Sequence, residues 1–429
     1  MKLKISIIVI AVALVAFGLS GAAFAFHGGG VASCESCHTM HNSKDGAVMS
    51  RTTTTTGVQA ANLAVGQTGA YLLQGTDQSS TCLNCHGGAN KVTAGSYTVL
   101  SYGANVTIPS QRTPGGDFGW LRKGSKKGHS IVAADYLLTA ETTKAGNMAP
   151  GGTYPVGSLH CSSCHDPHGK YRRLSSDPAG NYVTTGEAIA ESGSYGVDPT
   201  NGEAVGAFRL LGGMNYLPKS MEAFPALALS AQPIMAATIS SYNSSETTTE
   251  TITNYGDSTV GAWCTSCHAK MHNSATNGTA VLVHPNDTNM TALFGLYNAY
   301  SSSGKTGGTF AGYTSLIPVA YDNVKQNSLL SGHFTKGASI AGSDKVMCLS
   351  CHRAHASGID YMLRFPSVEE MVVADPSGNP TYAKGGTSTS ISTVSGLSPQ
   401  ELQAALYDRA PSTWGAGQRT LCNKCHAKD

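Results

Sequence analysis

Every cysteine in this 429-residue chain falls in a C-x-x-C-H string, and that string occurs six times. The copies are CESCH (Cys34, Cys37, His38), CLNCH (Cys82, Cys85, His86), CSSCH (Cys161, Cys164, His165), CTSCH (Cys264, Cys267, His268), CLSCH (Cys348, Cys351, His352) and CNKCH (Cys422, Cys425, His426). Histidine makes up only 15 residues of the chain, so its place after all six pairs is not a product of composition. A disulfide scaffold has no use for a histidine after each pair and belongs to far shorter chains. Zinc knuckles need two pairs, or a pair and a histidine pair, close together in sequence. Here the motifs start between 48 and 103 residues apart. A thioredoxin-like pair would occur once, near a βαβ pattern.

What remains is the attachment signature of c-type haem. Two thiols three residues apart on one helical turn can both add to one porphyrin edge, and the next residue then sets an imidazole under the iron. The sequence therefore implies six covalently bound c-type haems. The twelve cysteines are their attachment points, and His38, His86, His165, His268, His352 and His426 are their proximal iron ligands.

The other nine histidines are His27, His41, His129, His160, His168, His272, His284, His333 and His355. His41, His168 and His355 each follow a proximal histidine by three residues, and His272 follows His268 by four. Such residues stay on the same helical face as the proximal ligand. They cannot pass around their own porphyrin, so any iron they bind belongs to another haem. His129 and His333 each follow a glycine upstream of a motif, and His284 is held extended by Pro285. His41, His129, His168, His284, His333 and His355 are the expected distal ligands. His272 stands in reserve, with His27 and His160 behind it. Methionine ligation would raise the potential, but the surplus of histidine makes bis-His, low-spin haem the simpler reading.

Charged residues are 13% of the chain, against about 25% in ordinary domains. Lys2 and Lys4, the apolar run 5–19 and Ala23-Phe24-Ala25 read as an export leader over residues 1–25, leaving 26–429 as a single hexahaem domain. Without Lys2 and Lys4 the 28 basic residues match the 26 acidic ones in number. That balance excludes an electrostatic nucleic-acid binder. No later run is long enough for a membrane span.

Between the motifs the chain is rich in Gly, Ser, Thr and Asn, with 50 glycines, a composition poor at forming a core unaided. The expected fold is mostly coil with short helices and little sheet, cored by haem. Helices are expected at Pro399–Arg409, where Ser398 and Glu401 form a capping box, at Val368–Ala374 and at Thr291–Tyr300, and a hairpin over Ser96–Ile108.

The stretches FHGGGVASCESCHTMHNS, TPGGDFGW, LHCSSCHDPHGKYRR, CLSCHRAHASG and CNKCHAKD resemble the outer-surface hexahaem cytochromes of metal-reducing bacteria along essentially the whole mature chain. The resemblance implies an extracellular protein that polymerises head to tail and carries electrons to minerals or partner cells, with every haem bis-His. It also implies that His41 ligates a haem of the adjacent subunit, the one attached through Cys348 and Cys351 with His352. An electron carrier rather than an enzyme is therefore expected. A multihaem reductase would need one iron with an open distal position beside fixed acid or cationic groups, and no motif here differs from the rest.

Overall fold

The computed structural model describes residues 34–44, 47–48, 52–53, 59–60, 69–88, 98–101, 108–109, 113–142, 147–169, 171–174, 182–183, 194–195, 204–231, 234, 237–238, 260–271, 288–293, 295, 297, 317–319, 342–369, 371–384, 387–389, 396–406 and 418–426. All twelve cysteines are among them, and none is in a disulfide.

Short elements dominate, as the Gly- and Ser-rich composition leads one to expect. The α-helices are α1 (Gln78–His86), α2 (Cys161–Cys164), α3 (Val260–Thr265), α4 (Cys348–Cys351) and α5 (Pro399–Ala405), and among many short 3-10 turns two, Cys34–Ser36 and Cys422–Lys424, carry the first and last motifs. Among the described residues the longest of them, α1, has nine residues. Four of the five α-helices and these two turns coincide with the attachment motifs, and α5 is the helix that does not. The turns are closed locally. Asp77 caps α1 by accepting from the Ser80 N–H at 2.8 Å, and removing such a cap costs helices about 1 kcal/mol. In α2 and α4 the serine inside the motif takes over part of this work. Ser163 Oγ accepts from His160 N–H at 3.0 Å, and Ser350 Oγ from Met347 N–H at 3.1 Å.

The largest sheet has four short strands: β1 (Met371–Ala374), β2 (Pro380–Lys384), β3 (Thr387–Thr389) and β4 (Gln418–Arg419), in the order β3-β2-β1-β4. Its strands are antiparallel, with Val372 opposite Tyr382 and Met371 opposite Arg419. This corrects the helix expected at Val368–Ala374. Ser367 and Glu370 imitate a helix start, but Val372 and Val373 are β-branched, and a tight turn follows directly. There Asp375 Oδ1 accepts from the N–H groups of Ser377 and Asn379, both at 2.8 Å, and Gly378 takes φ +84°.

Helix α5 begins as expected, with Ser398 and Glu401 exchanging side-chain-to-backbone bonds at 3.2 and 2.8 Å. It ends at Ala405, and the last residues of the expected span lie outside those described. Only part of the helix expected at Thr291–Tyr300 is described, where Tyr297 N–H donates to the Leu293 carbonyl at 2.9 Å. The stretch from Ser96 to Ile108 is also only partly described. Its Leu100–Ser101 pairs in parallel with Gly87–Gly88.

The main apolar cluster runs from Leu83 of α1 through Phe118, Trp120 and Tyr136 to Phe365, Val372, Tyr382 and Leu402 of α5. Gly358 lets these parts close on one another. A Cβ there would lie 2.5 Å from Ala405 Cβ and 2.9 Å from the Trp120 ring, so the segment after the fifth motif must be glycine to seat both the indole and α5. No described helix is long and apolar enough to cross a membrane.

Candidate functional site

Each C-x-x-C-H string closes on itself before it meets anything else. The histidine N–H donates to the carbonyl of the first cysteine at 2.9 Å in motif one, 3.0 Å in motif three, 3.1 Å in motif four, 3.0 Å in motif five and 2.9 Å in motif six. Motif two lies within α1, whose helical bonds do the same work. Two thiols and an imidazole thus come off one turn.

The motifs then neighbour one another in chain order. Burial first, and the nearby Cys85 second, raise the Cys37 thiol, which joins motifs one and two. Cys82 lies beside Cys161, the neighbour that does most to raise its thiol, and this joins two and three. Cys164 is raised by burial and then by Cys267, joining three and four. Cys264 lies beside Cys348, the neighbour that does most to raise its thiol, joining four and five. Cys351, pushed up to about 12 by burial, also feels Cys425, joining five and six. The junctions alternate. Second cysteine meets second cysteine at junctions one–two, three–four and five–six, whereas first meets first at two–three and four–five.

Four of the motif imidazoles are oriented by backbone. Nδ1 of His38, His165, His268 and His352 lies 3.1, 2.8, 2.8 and 2.7 Å from the carbonyl oxygens of Tyr71, Arg209, Pro150 and Tyr361. A carbonyl can only accept, so each Nδ1 carries the proton and Nε2 keeps the lone pair that a metal needs.

Two further histidines face this set. The His355 ring lies 6.3 Å from that of His165, and the His129 ring lies 6.0 Å from that of His268, centroid to centroid. An imidazole nitrogen binds a first-row metal at about 2 Å, and the ring centroid sits roughly 1 Å behind it, so two rings on opposite sides of one iron stand about 6 Å apart. Loss of hydration is the main reason that His129 and His165 are pushed down to about 4 and His355 to about 3. All three are neutral at physiological pH, the state that ligates. Both pairs fit a bis-His iron. An apolar macrocycle also fits the large side chains exposed beside motifs one and five, Tyr71 at 51% and Tyr361 at 61%. Among the described residues no three His, Cys, Asp or Glu side chains converge as a bare metal ion would require.

His129 and His355 reach their places together. His129 N–H donates to the His355 carbonyl at 2.9 Å, and His129 Nδ1 donates to the Ala354 carbonyl at 2.5 Å. Phe118 stacks on the His355 ring at 4.7 Å. Gly115 lies so close that a Cβ there would be 2.7 Å from His355 Nδ1. Arg353, beside the fifth motif, donates from Nη1 to the Thr113 and Pro114 carbonyls at 2.8 and 3.1 Å. The stretch TPGGDFGW is therefore the wall against which the segment after motif five is laid.

Of the remaining candidates, His41 and His168 are exposed. His41 precedes Asn42, which is wholly buried, has φ +49° and donates its N–H to Thr39 Oγ1 at 2.8 Å. His160 is held by the Val132 carbonyl at 3.1 Å and lies 3.9 Å from Asp77. His27, His272, His284 and His333 lie outside the described residues. Sequence reasoning missed the carbonyl-bearing residues Tyr71, Arg209, Tyr361 and Pro150, and the glycine and phenylalanine of TPGGDFGW that pack on His355. The first three left a faint trace, the recurrence of YLLQ, RLLG and YMLR.

Comparison with known proteins gives the same picture from outside. No family model matches the chain. The C-type cytochrome OmcS of Geobacter sulfurreducens is 46% identical over 456 aligned residues, spanning 100% of this chain and 99% of that one. The outer membrane cytochrome S filament of Geobacter sulfurreducens matches with a TM-score of 0.75 and 43% identity, over 94% of this chain and 100% of that one. The OmcS nanowires of the same organism, solved by cryo-EM, match with a TM-score of 0.75 and 44% identity over the same shares. With such identity along its whole length, and with the sites described above, the chain belongs to the OmcS family of C-type cytochromes.

Proposed function

We propose that this chain is an extracellular electron carrier, one subunit of a filament built from copies of itself, which passes electrons along six covalently bound haems to acceptors outside the cell. The observation that carries this reading is the succession of attachment motifs in space, each beside the next in chain order from Cys37 and Cys85 to Cys351 and Cys425. Haem, when bound, supplies a one-electron ferric–ferrous couple at each motif. The twelve cysteines attach it, and His38, His86, His165, His268, His352 and His426 ligate it from one side. His355 ligates from the other side at motif three and His129 at motif four, with the ring separations as support. His41, His168, His284 and His333 supply the remaining distal ligands, His41 to the fifth motif of the adjacent protomer. The filament itself is supported by the relatives, which are solved as filament and nanowire. Residues 1–25 export the chain, and 26–429 form one domain.

A reductase is the other reading. It requires an iron open on its distal side, with a proton donor beside it. The rings of His355 and His129 stand 6.3 and 6.0 Å from those of His165 and His268, a spacing that would close an iron held between them, which supports the carrier. Electron paramagnetic resonance of the oxidised, secreted protein, with haem counted chemically, tests this. Six haems, all low-spin, are expected. A stoichiometric high-spin haem in the wild-type protein would turn the argument toward the reductase.

A further inference from the structure

Motifs one, three and five are closed by the same piece of backbone, supplied from three different distances along the chain. In motif one, His38 Nδ1 donates to the Tyr71 carbonyl at 3.1 Å, Thr39 N–H to the Leu72 carbonyl at 2.7 Å, and Gln74 N–H to the Cys37 carbonyl at 2.9 Å. In motif three the bonds run from His165 Nδ1 to Arg209 at 2.8 Å, from Asp166 to Leu210 at 2.7 Å, and from Gly212 to Cys164 at 2.8 Å. In motif five they run from His352 Nδ1 to Tyr361 at 2.7 Å, from Arg353 to Met362 at 2.8 Å, and from Arg364 to Cys351 at 2.8 Å. A leucine (Leu73, Leu211, Leu363) bridges back to the histidine each time. The donor and acceptor residues are 33, 44 and 9 positions apart, so no common loop length produces the pattern.

Each closing segment contains two consecutive non-glycine residues in the left-handed region. The φ values are +60° and +59° at Tyr71 and Leu72, +46° and +60° at Arg209 and Leu210, and +60° and +60° at Tyr361 and Met362. Side chains other than glycine rarely adopt this conformation, and it persists only where the surroundings over-determine it. It turns two successive carbonyls toward the motif, one to the imidazole and one to the N–H that follows. Motif four reaches a similar end with residues suited to it. A turn in which Gly152 N–H donates to the Ala149 carbonyl at 2.9 Å puts Gly151 at φ +67°, and the Pro150 carbonyl takes His268 Nδ1 at 2.8 Å. There the acceptor Pro150 keeps the negative φ of a proline and only the residue after it is left-handed, so motif four makes its carbonyl contact with one such residue instead of two.

We infer that Tyr71, Arg209 and Tyr361 are positioning residues, whose left-handed main chain fixes the tautomer and ring plane of His38, His165 and His352 and holds the reduction potential of their three haems down. A hydrogen bond from Nδ1 to a carbonyl raises the basicity of the ligating nitrogen, and a more basic axial ligand favours the ferric state. The inference rests on reading the motifs as haem sites.

Met362→Ile against Met362→Gly tests it. Isoleucine keeps an apolar side chain of similar volume but is β-branched and resists positive φ, whereas glycine loses the side chain and accepts the conformation. In a spectropotentiometric titration of the assembled holoprotein, the isoleucine variant should shift one redox step to more positive potential and move the g-values of one low-spin signal. The glycine variant should keep the wild-type values. If Met362 served only as packing, the order would reverse, with glycine the more disturbed, and that result would overturn the inference, as would an unshifted isoleucine variant. Leu210→Ile and Leu210→Gly repeat the contrast at motif three should Met362→Ile fail to fold. Haem content separates the two levels of the argument. Wild-type protein with fewer than six haems would sink the functional reading and this inference with it, while six haems with no shift would sink the inference alone.

Discussion

His129 and His355 lie on adjacent strands of backbone, joined by the bond from His129 N–H to the His355 carbonyl at 2.9 Å, yet their rings face different attachment motifs. One short pairing thus delivers two imidazoles to two consecutive sites. His355 follows motif five in sequence but faces His165 of motif three. His129 precedes motif three and faces His268 of motif four. Chain segments that cross in this way tie the two sites together through one backbone pairing.

Replacing either histidine should therefore open one site and leave its neighbour closed. His355→Ala is expected to convert one haem of the six from low-spin to high-spin, with the change at motif three. His129→Ala should do the same at motif four, and the double variant should give two. Electron paramagnetic resonance of the oxidised protein counts them. A His355→Ala protein with six low-spin haems would mean that His165 faces some other ligand.

Gly128→Ala reaches both sites without touching either ligand. The new Cβ would fall 2.5 Å from Ala356 Cβ and 2.7 Å from the His355 carbonyl oxygen, so the pairing must part. Overpacking of this kind costs about 1–3 kcal/mol. A lower thermal midpoint should accompany a partial high-spin signal at two haems at once. A change at only one haem would show that His129 and His355 are not coupled through this pairing.

The attachment sites were legible because their geometry is local. A helical turn makes two thiols and an imidazole neighbours whatever the rest of the chain does, and the capping box of Ser398 and Glu401 was readable for the same reason. The facing pairs were not. His355 meets His165 only because TPGGDFGW and the segment after motif five are packed together through Gly115, Phe118 and Arg353, contacts that no periodicity encodes. The strand Met371–Ala374 was obscured by a false helix start at Ser367, and the turn at Asp375–Asn379 decided the matter. The left-handed pairs such as Tyr361–Met362 run against local preference and could be found only by their recurrence.

Ser398→Ala separates stability from the redox centres. It removes the hydroxyl that accepts from Glu401 N–H at 3.2 Å, and loss of such a cap costs about 1 kcal/mol. Helix α5 buries Leu402 and Ala405 in the main apolar cluster, so the loss should appear as a lower thermal midpoint. Electronic and paramagnetic spectra should be those of wild type. A spectral change would mean that α5 bears on a haem directly.

His41 bears on assembly. It is exposed, and it lies three residues beyond His38, where the Cys34–Ser36 turn has already ended and His38 bridges to Leu73. The neighbouring Met40 is 71% exposed, so an apolar side chain and an imidazole are presented together. If His41 ligates the haem held by Cys348, Cys351 and His352 of the adjacent protomer, each junction contains a metal–ligand bond that fixes its register as well as its strength. His41→Ala should then leave the subunit folded with six haems, turn one haem high-spin, and abolish or shorten the filaments seen by electron microscopy. Added imidazole should restore the low-spin signal without restoring length, because it fills the coordination position but does not link two chains. Normal filaments with all haems low-spin would show that the junction rests on other contacts.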